Sequence, residues 1–272
     1  MYQLVNDFIQ SGRYASSNSR RAKKINGLKS ASKGKAIGRP YKNIDGTLDG
    51  IWWILCTGSM WNQLPSHFGK WNSVWRAFSR WSKSGIWDKI LKSISSRHAD
   101  YSVAVMLDAT HVKAHQDASK HPLTAEEQKL GKTKGGCNTK ISAAVNVVGL
   151  PLSMKLVCGN EHDSISALNT IEGLIGGSLV LADKAYDTNK IRAYIQEHDG
   201  IAVIPPRVNR KAPIEYNAQF GKNRHRVENF FARIKRFRRI STRYDKLPET
   251  YMGFVSIAVL ADWISFDFVH AA

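Results

Sequence analysis

The chain has 272 residues, with 40 Lys and Arg against 22 Asp and Glu, a formal net charge of +18 at pH 7. A charge that large exceeds what solubility requires and favours a polyanionic partner, while the length excludes a peptide-sized or disulfide-stapled module. Cys56, Cys137 and Cys158 form no Cys-x-x-Cys pair, so they offer neither a redox couple nor a structural zinc spacing and suit a reducing cytosol. No uncharged apolar run is long enough to span a bilayer, and the N-terminus lacks the basic-then-apolar order of a signal peptide; a soluble intracellular protein with no membrane partner is expected.

The charge falls in two blocks. From Met1 to Lys42, ten Lys and Arg stand against Asp7 alone, in a stretch rich in Ser, Gly and Lys. Residues 1–42 read as a basic flexible arm that tracks phosphates, or as a plain solubilising tail. Residues 43–98 hold seven of the eight tryptophans and predict short helices at about 45–57, 71–83 and 87–97, the second capped by Asn72 or Ser73. Such a helical segment could read DNA as a helix-turn-helix or simply support the catalytic domain, because no recognition-helix signal stands out in the sequence.

Residues 99–272 change in texture. Val103 to Leu107 predict a strand ending in Asp108, and a long Lys-, His- and Gly-rich loop is expected from Thr110 to Asn138. A hairpin comes next over 139–157, then a helix at about 164–174, a strand over 178–182 ending in Asp183, a helix at about 187–198 and a strand over 201–204. Gly131-Lys132-Thr133 has neither the glycine spacing nor the preceding strand of a phosphate loop. The second basic block runs from Pro205 to Lys246, with thirteen Lys and Arg against Glu215, Glu228 and Asp245. Val227, Phe230, Phe231, Ile234 and Phe237 recur through it at helical spacing and predict a packed helix at about 223–238 with a basic surface. A last apolar helix from Pro248 to about Phe266 would cover the sheet or serve as an interface. The order is α/β with a mixed central sheet.

Asp108 and Asp183 each close an apolar strand, where open sheets present reactive groups. Glu228 is the third isolated acid; its plain reading is a helix ion pair with Arg224 or Lys235. Three carboxylates without a histidine cluster are donors for hard divalent ions, Mg²⁺ or Mn²⁺. Two such ions about 4 Å apart can bind both the attacking and the leaving oxygen of a phosphodiester.

The stretches LCTGSMWNQLPSHFGKWNSVWRAFSRW, LDATHVKAHQ, GGCNTKISAAVN, GNEHDSISAL, LADKAYD, IPPRVNRK and HRVENFFARIKRFRRISTRYDKL, in that order, closely resemble bacterial insertion-sequence transposases of the DDE type, the family commonly numbered five. The resemblance covers about residues 49–272 and implies an RNase H-like mixed sheet flanked by helices, with Asp108, Asp183 and Glu228 as a catalytic triad holding two Mg²⁺ or Mn²⁺ ions. Arg224, four before the glutamate, and Lys235, seven after it, match the family signature, whereas Gly221 stands where a tyrosine is usual. Arg224, Lys235, Arg239, Lys246, His111 and Lys113 are the expected DNA and phosphate contacts. His111, His115 and the His162-Asp163 pair either touch DNA, orient a ligand or belong to local loop structure, and Tyr186 packs or orients Asp183. Of the family's usual opening, only Gly38-Arg39-Pro40 survives clearly.

The implied reaction is metal-dependent cleavage at transposon ends and transfer of the 3′ hydroxyl into target DNA. The implied partners are double-stranded DNA, meaning terminal inverted repeats and target, and further copies of the chain in a homo-oligomer. The implied location is the bacterial cytoplasm, on the nucleoid. A non-catalytic DNA-binding remnant or regulator, or a nuclease of the same fold, is the alternative.

Overall fold

The computed structural model describes residues 44–95, 103–120, 122–210, 214 and 216–270, so the basic arm expected over 1–42 lies outside the described residues. The first described elements are helix α1 (Ile44–Thr57), two single 3₁₀ turns (Trp61–Gln63 and Ser66–Phe68), α2 (Trp71–Lys83) and α3 (Ile86–Ser95). In α2 the buried Val74, Ala77, Phe78 and Trp81 recur three and four apart, which makes one apolar face. Its cap is Lys70, which makes no side-chain capping bond, so the expected caps Asn72 and Ser73 fall inside the first turn instead. Gly85, at φ 65°, turns the chain between α2 and α3 through the left-handed region open to glycine.

The sheet begins with β1 (Ala104–Ala114), followed by the one-turn helix α4 (Gln116–Ser119), β2 (Gly131–Thr133), β3 (Gly136–Val145) and β4 (Pro151–Cys158). Helix α5 (Asp163–Ile171), β5 (Leu179–Leu181), α6 (Asn189–Glu197) and β6 (Ile201–Val203) come next. The chain closes with α7 (Ala218–Gly221), α8 (His225–Ile234), α9 (Arg238–Ser241), β7 (Thr242–Arg243) and α10 (Pro248–His270). β1 pairs antiparallel with β3, and β3 with β4, whereas β5 runs parallel to β1 and β6 parallel to β5. This is a mixed sheet flanked by helices, in the RNase H-like arrangement expected.

Alternation along the strands divides the core. Val105, Leu107, Val180 and Ala182 face α5 and α6, while Met106, Ile141, Ala143, Val145 and Leu181 face α8 and α10. The second of these cores runs on without a break into α1, α2 and α3, through Ile51, Ile54, Leu55, Phe78 and Trp87. Helix α10 joins the two parts: Phe254 lies 4.3 Å from Phe78 and 6.0 Å from Trp61 between ring centroids. Gly253 permits the approach, since a Cβ there would overlap Ser82 Oγ. None of the helices among the described residues is long and apolar enough to cross a membrane.

Trp263 of α10 is fully buried, and its indole N–H donates to the Pro151 carbonyl at 3.1 Å. Trp263→Ala is therefore expected to cost about 3–5 kcal/mol in a urea-unfolding measurement, from lost burial, a cavity and an orphaned carbonyl.

Candidate active site

β1 does not end at Asp108, as the sequence suggested, but runs six residues further. β5 pairs with β1 only through Met106, and β7 joins the same edge only at Lys113. Between them β1 has an open edge, a crevice of the kind where open sheets seat their chemistry. Met106 is paired with Leu181, so Asp108 and Asp183 stand at equal distance beyond the last rung, on the face that carries α8. Asp183 itself has left the strand; it caps the 3₁₀ turn Lys184–Tyr186 by accepting the Ala185 N–H at 2.8 Å.

Glu228 lies in the first turn of α8, which packs on β1 and β3. Arg224 ties the acids together. One of its terminal nitrogens donates to Asp108 Oδ2 at 3.2 Å and the other to Glu228 Oε1 at 2.7 Å. The i,i+4 ion pair expected of an ordinary helix surface thus exists, but its arginine also reaches a third element. Burial raises the Asp108 carboxyl from 3.8 to about 6; the Ala109 N–H and Arg224 pull it down, and the neighbouring charges of Asp183 and Glu228 push it up.

Among the described residues no three acids, histidines or cysteines already stand close enough to hold a metal ion. The donor set nevertheless fits a hard divalent cation. Asp108 feels the charges of Asp183 and Glu228, and a single guanidinium bridges Asp108 and Glu228.

Of the expected cationic contacts, Arg224 and Lys235 come to the site. The Lys235 ammonium donates to Thr110 Oγ1 at 2.6 Å and to the His111 carbonyl at 2.9 Å, and burial lowers its pKa. His111 and Lys113 come next on the exposed side of β1, with His111 Nδ1 3.2 Å from Asn138 Oδ1. Lys246 is exposed beyond β7. Arg239 is not brought there: its side chain is 7 % exposed, forks onto both Asp245 oxygens at 3.0 Å and lies over the rings of Tyr244 and Phe254. That guanidinium is buried and turned inward onto a carboxylate, away from any approaching phosphate. His115 and His162 serve as helix caps, accepting the N–H of Asp117 and of Ser164.

Two further groups carry no sequence signal strong enough to have found them. The Asp187 side chain is fully buried and takes Arg192 Nε and Arg210 Nη1 at 2.7 Å on one oxygen and the Arg207 N–H at 2.8 Å on the other. Arg207 also donates to the carbonyls of Lys184 and Ala185. The loop after β6 is therefore clamped onto the turn that carries Asp183, and the arginines of IPPRVNR are occupied in doing so. Burial works against the charge, but these hydrogen bonds hold the Asp187 carboxyl below its usual value. On β3, Lys140 is buried and pairs with Asp163 at 2.7 Å and with the Glu161 carbonyl. The Tyr186 hydroxyl is buried and without a hydrogen-bond partner among the described residues. Burial first, then the charges of Asp163, Asp108 and Asp183, drive its pKa far up, so it stays protonated.

The family described as "Transposase DDE domain" matches residues 101–261, and the one described as "Putative transposase of IS4/5 family" matches residues 24–91. A Brucella ovis protein named "Putative transposase for insertion sequence element IS6501" is 36% identical over 127 residues, 46% of this chain and 98% of the relative. An uncharacterized protein of Sinorhizobium fredii is 36% identical over 72 residues, 26% of this chain and 56% of its own. Among solved structures, the Mos1 transposase paired-end complex with left transposon end aligns over 91% of this chain and 87% of that one, at 12% identity and a TM-score of 0.27.

Proposed function

Because this chain belongs to the family of transposases that carry a DDE domain, we propose that it cuts DNA at the ends of its element and transfers the freed 3′ hydroxyl into target DNA, in a metal-dependent reaction. The observation that supports this reading most is that Asp108 and Glu228 share Arg224 at one open sheet edge, with Asp183 on the turn after the neighbouring strand, near enough for its charge to act on Asp108. Two Mg²⁺ or Mn²⁺ ions held by these three side chains would supply Lewis-acid polarisation of the phosphodiester and a strong oxygen nucleophile at neutral pH. Arg224, beside Asp108 and Glu228, and Lys235, beside Thr110 and His111, grip phosphate oxygens of the scissile strand and offset its charge. His111, Lys113 and Lys246 guide the flanking backbone. Tyr186 stays protonated and forms no covalent link to DNA; the attacking oxygen belongs first to water and then to the DNA 3′ end.

The partners are terminal repeats, target DNA and further copies of the chain. The relatives come from bacteria, and the proposed setting is the bacterial cytoplasm, on the nucleoid. The test is a cleavage and strand-joining assay on DNA bearing the ends of the element, with Mg²⁺ or with chelator, and with Asp183→Asn beside the intact chain. Cleaved and joined products that need the metal and vanish in the variant are expected. Cleavage without joining would make the protein a nuclease of this fold. DNA binding without metal-dependent cleavage would make it a non-catalytic remnant or regulator.

A further inference from the structure

Helix α2 packs only one side. Its outer side carries Trp71, Asn72, Ser73, Trp75 and Arg76, all exposed, with Trp71 at 44 % and Trp75 at 40 %. From Lys70 to Lys83 there are four Lys and Arg and no acid. The Arg76 guanidinium has no ion-pair partner among the described residues, and Ser73 Oγ donates to Asn72 Oδ1 at 3.5 Å. The helix comes after α1 across two tight 3₁₀ turns and packs against it, which leaves the N-terminal half of its outer face standing clear of the body.

We propose that α2 is the helix that reads base sequence in the ends of the element, entering the major groove with Asn72, Ser73 and Arg76. The inference rests on the reading of the chain as a DNA-cutting transposase. The charge on this face complements a duplex and opposes a second copy, since a twofold contact of the face with itself would bring together cations with no acid to pair them. Base reading rather than backbone contact alone is argued from the side chains present. Asn72 and Arg76 sit one turn apart, and each can form the paired hydrogen bonds that distinguish adenine and guanine edges. Trp71 and Trp75 flank them with apolar surface for thymine methyl groups and sugars, and the flanking Lys70 and Lys83 suit phosphates. In helix-turn-helix proteins the first residues of the second helix are the ones that meet base edges.

The experiment is a competition binding assay with the full chain, in chelator, on a duplex carrying an element end and on a scrambled duplex of equal length. Intact protein is compared with Asn72→Ala, Arg76→Ala, Arg76→Lys and, as a surface control, Lys190→Ala; thermal melts check that each variant is folded. The intact protein and Lys190→Ala are expected to prefer the end duplex. Asn72→Ala and Arg76→Ala are expected to lose roughly 5- to 150-fold of that preference, the span of one paired base contact. Arg76→Lys keeps the charge but not the fork, so it should lose preference while keeping its affinity for scrambled DNA. Preference unchanged in all the α2 variants, equal weakening on both duplexes, or a changed oligomeric state without DNA would each overturn the inference. A protein that distinguishes ends yet never cuts them would overturn the proposed reaction and leave α2 as the reader. One that cuts with these variants as selective as the parent would do the reverse.

Discussion

Asp108→Asn is expected to lower cleavage and joining by roughly three orders of magnitude, about 4 kcal/mol in barrier, and at the same time to make the metal-free protein more stable above pH 6. Both effects have one cause. The Asp108 side chain is 21 % exposed, hemmed in by the sheet and by two other acids, and its single cation, Arg224, is shared with Glu228. Its carboxyl therefore keeps its proton up to about pH 6 in the folded chain but releases it near 3.8 when unfolded. Within that window the folded state binds the extra proton, so stability falls as pH rises through it. Asparagine never ionises, and the variant should gain about 1–3 kcal/mol over the parent at pH 8 and nothing near pH 4, measured by urea unfolding in chelator. Activity retained by the variant would remove Asp108 from the reaction, and a variant less stable than the parent at pH 8 would show that its charge is not under strain.

Asp187→Ala is expected to act in the opposite direction, costing about 3–5 kcal/mol and most of the activity. The substitution leaves Arg192 and Arg210, 14 % and 18 % exposed, facing each other without the carboxylate they share. It also releases the Arg207 N–H, and with it the clamp on the carbonyls behind Asp183. Because these bonds hold the Asp187 carboxyl below its usual value, its contribution is present at neutral pH and is lost as pH falls through that depressed value. Denaturation at pH 7 and at acid pH checks both halves: parent and variant should differ widely at the first and converge at the second. Equal stability at pH 7 would show the network to be ornamental.

The alternation and period of the apolar residues foretold most elements within a few residues, because each strand or helix buries a clear face. They failed where tertiary contacts decide. Asp108 looked like a strand end because carboxylates are poor strand formers, yet β3 pairs with it and beyond it along β1. The expected loop from Thr110 to Asn138 contains the rest of β1, α4 and β2; the two strands are held by pairing with β3 and, at the end of β1, with β7. The three acids were legible because each is isolated in its segment. The bridge from Arg224 to Asp108 and Glu228 needed the fold. Arg239 was misplaced for the reason Asp187 was missed: in a block of thirteen cations, nothing local marks which guanidiniums face a buried carboxylate. Lys140 likewise reads as an ordinary lysine until Asp163 arrives from another element.

The unbroken core from α1–α3 into the sheet has a consequence for where a strand is cut. Phe78, Phe254 and Trp263 belong to one packed apolar mass, which among the described residues joins α2 to the sheet that carries Asp108. If the proposed reaction and reading helix hold, the protein would work as a jig: a duplex seated on that helix would present its backbone to the carboxylates at a set offset and a set rotation. The place of the break would be dictated by a length built into the protein, and the phosphodiester attacked need carry no sequence mark of its own.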